Sequence, residues 1–242
     1  MILKFKVFIR TILRKLSQQH LYEKISLNYL YKKKIGHFLI DKVFQDKAIY
    51  IPSKSDYYVE CFDYIKKFNN SLFLEFGVGD GETAKIISEC FADKQIYGFD
   101  SFNGFKDEPP KNSFWESFQT KFKNRKIPIL PKNYNLIEGY LEDTFEKFMS
   151  EKDSEKIENF VIHYDMDVYE PAKLILNFLR KSKKKSIVMF DEFYNYEDFE
   201  KHEWRAFYEE IICYNVPNKM LFYTDSSSNH FGHLSKFCFE IN

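Results

Sequence analysis

The chain has 242 residues, 44% of them hydrophobic and 19% aromatic, with no formal net charge. That length buries a sizeable core and that composition excludes a disordered chain, while the balanced charge leaves no footprint for nucleic acid. The four cysteines, Cys61, Cys90, Cys213 and Cys238, form no CxxC pair, so they read as reduced, mostly buried thiols of a cytoplasmic protein rather than a disulfide frame or zinc site.

Residues 1–50 carry eleven Lys/Arg against three Asp/Glu. This shift separates a basic helical extension, 1–50, from a main domain, 51–242. Phe5, Phe8, Ile9, Ile12, Leu13 and Leu16 recur at helical spacing with Arg10, Arg14 and Lys15 between them. Such a stripe packs on the main domain, joins a second subunit as a homo-oligomer contact, or lies on an anionic membrane surface. The basic residues interrupt any signal-peptide core, and no apolar run approaches the ~20 residues that span a bilayer.

From Ser71 the pattern alternates. Leu72–Phe76 reads as a buried strand ending in a glycine-rich turn, and Thr83–Ala92 as a helix. Gln95–Phe99 is a second strand, closed by Asp100. The stretch from Phe105 to Asn135 holds Pro109, Pro110, Pro128 and Pro131 and reads as a long connection over the strand ends, with one helix at most. Phe160–Tyr164 is a third strand, closed by Asp165 and Asp167. A helix follows with Pro171 in its first turn. Ser186–Phe190 is a fourth strand, closed by Asp191 and Glu192. Lys219–Thr224 and Leu234–Ile241 read as a hairpin at a sheet edge, joined by the polar turn Asp225–Asn229. The alternation predicts an α/β fold. It is a doubly wound, mostly parallel, seven-stranded Rossmann-like sheet with an antiparallel C-terminal hairpin and an N-terminal helical extension.

Open parallel sheets bind ligands beyond the carboxyl ends of their strands. Four strands here deliver acidic groups to that rim. Each alone could cap a helix, but carboxylates crowded together repel and call for a counter-charge. The turn Gly77-Val-Gly-Asp-Gly81 lacks the Lys-Ser/Thr of a phosphate loop, and its GxGxG spacing is not the dinucleotide GxGxxG. Close backbone approach plus an anion, Glu75, fits S-adenosylmethionine (SAM), with Glu75 toward the methionine ammonium. Asp100 is placed to accept from the ribose hydroxyls.

Leu74-Glu-Phe-Gly-Val-Gly-Asp-Gly-Glu-Thr83 and Gly98-Phe-Asp-Ser-Phe-Asn-Gly-Phe105 resemble the macrocin O-methyltransferase family, as do Glu138-Gly-Tyr-Leu-Glu-Asp-Thr144, His163-Tyr-Asp-Met-Asp-Val-Tyr-Glu170 and Phe190-Asp-Glu-Phe193. The resemblance covers roughly Ser71 to Ile212. It implies a SAM-dependent enzyme that methylates sugar hydroxyls with a divalent cation, usually magnesium. It places Ser101 and Gly139 with Glu75, Gly77, Gly79 and Asp100 in the cofactor site. It makes Asp165, Asp191 and Glu192 the metal ligands, with Glu192 where the family often has a shorter aspartate, and Asp167 the general base. Carboxylates suit magnesium, with manganese close behind. A cation lowers the pKa of a sugar hydroxyl and a nearby carboxylate takes its proton.

For Asp167 the alternative is a helix N-cap. His163 reads as a satisfied interior histidine. His202 and Glu203 are candidates for substrate contact or a plain helix start. Tyr140 and Phe102 flank an adenine or simply pack. The expected substrate is small: a nucleotide-activated sugar for bacterial surface polysaccharide, or a glycoside. The alternatives are a catechol or phosphate oxygen as acceptor, or a SAM-binding protein without catalysis.

Overall fold

The computed structural model describes residues 32–106, 108–110, 126–152, 154–194, 196, 198–228 and 232–242, with side chains of 225–235 left aside. The apolar stripe within residues 1–16 and most of the proline-rich connection lie outside these residues. The chain divides into two compact units, Met1–Gln45 and Asp46–Asn242. Helix α1 (32–46) spans that boundary. Among the described residues no helix is long and apolar enough to cross a membrane.

The second unit is built on one sheet. Its strands are β1 (Ile49–Tyr50), β2 (Ser71–Phe76), β3 (Ile96–Asp100), β4 (Tyr134–Glu138), β5 (Asn159–Tyr164), β6 (Lys185–Tyr194), β7 (Asn218–Ser228) and β8 (Gly232–Ile241). They lie in the order β1-β7-β8-β6-β5-β2-β3-β4. All pairings are parallel except those of β8 with β6 and β7. The doubly wound sheet and its antiparallel terminal pair are as expected, and the two-residue β1 adds an eighth strand. The hairpin is not at the edge, because β8 is inserted beside β6 and β1 covers the far side of β7.

Among the described residues five α-helices flank the sheet: α2 (Lys54–Ile65), α3 (Glu82–Cys90), α4 (Leu141–Glu151), α5 (Tyr169–Ser182) and the short α6 (Glu203–Phe207). Ser53 caps α2 by accepting from the Asp56 amide, the usual way to satisfy a free helix-end donor. Pro171 sits in the first turn of α5, whose Ala172, Ile175, Leu176 and Leu179 form a buried stripe.

Strands β2 and β5 are buried on both faces, as parallel strands between helical layers must be. Alternation then assigns the faces. Phe73, Val161, Ile187 and Met189 pack with Phe62 and Phe91 in one cluster with residues of α2. Phe76, Phe99 and Phe160 turn to the other face, against Phe145 and Phe148 of α4 and Phe178 of α5. Glu75 and His163 are directly paired in register. They share the α2 face with Phe73 and Val161, so two ionisable side chains lie under α2.

Cys61 and Cys238 are buried, but Cys90 and Cys213 are exposed, so the thiols are free without being mostly interior.

Candidate active site

The chain runs from β2 to β3 and β4 on one side, then returns to β5 on the other. This reversal opens a crevice between the ends of β2 and β5. A cleft of about 430 Å³ occupies it, lined by the glycine turn, the ends of β3, β5 and β6, and the start of α5.

The glycine turn is built as its sequence demands. Gly77, Gly79 and Gly81 all have positive φ, which glycine adopts without steric cost. A Cβ on Gly77 would stand 1.8 Å from the Asp165 carbonyl oxygen. The loops after β2 and β5 therefore touch backbone to backbone, and the Asp165 amide donates to the Phe76 carbonyl at 2.8 Å. Asp100 organises the turn from the side. Its Oδ2 accepts from the Val78 and Gly79 amides at 2.9 Å each, and its Oδ1 from the Phe102 amide at 2.8 Å. A carboxylate has about four acceptor sites, so Oδ1 keeps a lone pair for a hydroxyl. Ser101 bridges the next turn, donating to the Gly104 carbonyl at 3.2 Å and accepting from the Asn103 amide at 3.1 Å.

Of the six residues expected at the cofactor, Gly77, Gly79, Asp100 and Ser101 line the cleft, and Glu75 and Gly139 do not. Gly139, at φ +137, donates its amide to the Asp100 carbonyl at 3.0 Å and leads into Tyr140, which does line the cleft. Glu75 is fully buried. Its Oε2 accepts a short hydrogen bond from the Tyr134 hydroxyl, and its Oε1 lies 3.3 Å from His163 Nδ1. Strand alternation turns it under α2, away from the opening, so direct contact with an ammonium in the cleft does not follow from its position. Gly98 makes the Tyr134 bond possible, since a Cβ there would stand 1.9 Å from the Tyr134 hydroxyl oxygen. Phe102 is buried, which favours the packing reading for it.

Asp165, Asp191 and Glu192 converge, each offering one oxygen, with those oxygens within 4.8 Å of one another. Strand β6 runs on through Asp191 to Tyr194 past an irregularity in its pairing, so the acidic pair belongs to the strand rather than closing it. Withdrawal from water and the neighbouring Asp191 and Asp167 push Asp165 up to about 8. Burial and Asp191 push Glu192 well above the usual carboxylate range. Burial opposes ionisation of Asp191 too, yet Lys236 and His163 hold it well below that range. Carboxyl groups raised in this way signal a site short of positive charge.

Lys236 is the residue that sequence reasoning missed. Its side chain is 1% exposed. Its Nζ makes a short ion pair with Asp191 Oδ1, donates to the Asp191 carbonyl at 2.9 Å and lies 3.9 Å from Glu192. The signal was strand parity. Phe237 and Phe239 are buried, and Cys238 on the lysine's own face is buried as well, so a lysine in that run must sit inside. Tyr58 of α2 also donates to Asp191 Oδ1, at 2.6 Å, leaving Oδ2 to face the cleft with exposed Lys54 4.0 Å away. His163 is interior as expected. Its Nε2 lies 3.8 Å from Asp191 Oδ1, so it bridges Glu75 and Asp191. Burial alone would lower its pKa, but those two carboxylates raise it to about 10.

Asp167 lines the cleft beside Asp165, at φ +61. The N-cap position of α5 is Val168, one residue beyond Asp167. Glu203 is wholly buried and does not line the cleft. His202 opens onto a second, smaller cleft.

The donor chemistry fits a hard divalent cation: three carboxylate oxygens face one point, and Asp191 is oriented from behind by Tyr58 and Lys236.

No family model matches this chain, and no curated protein matches it. Among solved structures, two of CalS11 resemble it at 19% identity and a TM-score of 0.45, over 73% of this chain and 76% of that one. One is described as a calicheamicin methyltransferase and the other as its apo form, a TDP-rhamnose 3'-O-methyltransferase. A precorrin-6y C5,15-methyltransferase from Geobacter metallireducens shares 9% identity at a TM-score of 0.43, over 79% of this chain and 92% of that one. A putative O-methyltransferase from Nostoc punctiforme shares 9% at 0.41, over 78% and 56%. At TM-scores below 0.5 these likenesses leave the function to be argued from the side chains of this chain.

Proposed function

We propose that this chain is a SAM-dependent, divalent-cation-dependent O-methyltransferase acting on a sugar hydroxyl. The observation that carries the reading is the meeting of two constellations in one cleft. On one side are the glycine turn and Asp100, on the other Asp165, Asp191 and Glu192 with Asp167 between. A SAM-binding protein without catalysis needs the first and has no use for the second.

When bound, SAM supplies an electrophilic methyl group and magnesium or manganese lowers the pKa of a coordinated hydroxyl. The chain does the rest. Gly77, Val78 and Gly79 present backbone to the cofactor, and Asp100 holds that backbone while offering an acceptor to ribose. Asp165, Asp191 and Glu192 would hold the cation. Asp167 would take the hydroxyl proton as the oxygen–methyl bond forms and the methyl–sulfur bond breaks, with S-adenosylhomocysteine leaving. Glu75, turned inward, acts through His163 and Tyr134 as an anchor beneath the turn.

Calorimetry with SAM, and turnover of phosphate-free glycosides and of nucleotide-sugars with SAM and magnesium, read as product mass and S-adenosylhomocysteine, test the reading. Asp100→Ala should lose most SAM affinity, and chelation should abolish turnover until magnesium or manganese returns. Full turnover without metal would remove the cation from the mechanism. Unchanged SAM affinity in Asp100→Ala would remove that residue from the site.

A further inference from the structure

A second cleft, of about 270 Å³, lies where the same two segments that wall the main cleft continue. Gly104–Lys106 line the first cleft and Glu108 lines the second. Asp167, Val168 and Pro171 line the first, and Tyr169 and Glu170 the second. Asp198, Lys201 and His202 close it. The two clefts are therefore neighbours that share walls.

Three features of the second cleft point to a ligand. First, His202 is 6% exposed, lines the cleft, and neither ring nitrogen has a hydrogen-bond partner among the described residues. Its closest ionic neighbour is Asp198 Oδ1 at 3.7 Å, beyond hydrogen-bonding reach. Leaving a buried polar group in that state is costly unless something else satisfies it. Second, burial lowers the His202 pKa and Lys201 acts the same way, against the pull of Asp198. The imidazole is thus neutral near pH 7, with one donor and one acceptor, the pattern that matches a hydroxyl. Third, among the described residues the lining holds three carboxylates, Glu108, Glu170 and Asp198, against one lysine. That balance repels phosphate and suits hydroxyl or ammonium donors.

We infer that this second cleft is the acceptor's specificity pocket, holding a sugar ring that carries no phosphate by its hydroxyl or amino groups at His202 and Asp198. The ring would lie beside the Asp167 end of the main cleft. The inference rests on the methyltransferase reading for its meaning, but not for its test. At about 270 Å³ the space is below the ~300 Å³ where drug-sized pockets begin; it suits one ring and not a nucleotide.

Saturation-transfer NMR on the full chain tests this with three probes: methyl α-glucopyranoside, glucosamine and glucose 1-phosphate. The first two should receive saturation and the phosphate at least ~3-fold less, by charge repulsion. His202→Ala should reduce the methyl glucoside signal by at least ~5-fold, with His202→Gln, which keeps a donor and an acceptor, retaining most of it. Glu170→Lys, at an exposed position where folding is not at stake, should raise the glucose 1-phosphate signal. Equal methyl glucoside signals in wild type and His202→Ala, or a wild-type preference for glucose 1-phosphate, would overturn the pocket. Calorimetry with SAM on the same preparation separates the two readings. Sugar binding without SAM binding keeps the pocket and sinks the methyltransferase; SAM binding with no sugar signal does the reverse.

Discussion

Lys236→Met removes one buried charge and keeps most of the volume. In the wild type the ammonium is 1% exposed and meets Asp191 at both a carboxylate oxygen and the carbonyl. The variant leaves Asp191 buried beside Glu192 and Asp165 with, among the described residues, only His163 and exposed Lys54 as nearby cations. Breaking a buried pair from one side costs about 3–5 kcal/mol. For a unit of this size each kcal/mol moves Tm by roughly 2–4 °C, so chelated protein should melt about 6–20 °C lower. A divalent cation at 100 times its Kd returns about 2.7 kcal/mol, which is at least half of that loss. Magnesium should therefore raise Tm more in Lys236→Met than in the wild type, because the variant offers the same carboxylates without a competing ammonium. Thermal melts in chelator and in magnesium, at one pH, measure all four values. A fall below about 2 °C would mean that the ion pair does not matter. A fall that magnesium leaves untouched would mean that the three carboxylates are not a cation site.

Asp167→Asn should keep SAM binding and melting temperature while kcat drops by roughly 100-fold or more, the scale of general-base catalysis; asparagine accepts the positive φ of this position, and a near-normal kcat would move the base elsewhere. Gly77→Ala should cost at least ~3 kcal/mol in urea unfolding and abolish SAM binding, since its Cβ would stand 1.8 Å from a backbone oxygen; an unaffected variant would mean that the two loops separate easily. Glu209 has a lowered pKa because hydrogen bonds from Tyr169, Arg205 and Lys173 outweigh the effect of burial. The folded state thus binds this proton less readily than the unfolded one, so the contribution is present above the unfolded pKa, near 4.3, and fades as pH falls through the folded value. Urea midpoints from pH 7 to 3 should fall less steeply for Glu209→Gln than for wild type, and parallel curves would contradict the sign.

What could be read from the chain was local. The glycine turn and the apolar runs of β2, β3, β5 and β6 announce themselves within ten residues, because backbone geometry and two-sided burial constrain each residue directly. Strand β4 did not, since only Tyr134 of its five residues is buried and an edge strand lacks a continuous apolar signature. Helix α2 gave little contrast because its buried positions include Tyr57, Tyr58 and Cys61, which carry polar atoms. The acidic rim was legible as a set of strand ends, but its counter-charge was not. Lys236 reaches Asp191 across 45 residues, and only the insertion of β8 beside β6 brings them together. For the same reason Glu75 could be placed near the cofactor by spacing yet faces inward, as its pairing with His163 requires.

Gly98 and Tyr134 also impose an order on mutation. With tyrosine at 134, any side chain at 98 meets the phenol ring, whose Cε1 and Cζ would lie 2.5 Å from a Cβ. Gly98→Ala is therefore barred while Tyr134 stands, although a small aliphatic residue at 134 would open the space. The reverse sequence is passable: Tyr134→Leu first forfeits the hydroxyl that Glu75 accepts, after which an alanine at 98 refills part of the gap. The two sites are non-additive in the strong sense, with the sign of the second change set by the first. A drifting lineage can leave this arrangement through position 134 but not through position 98, so the glycine is locked in by its neighbour rather than by any ligand.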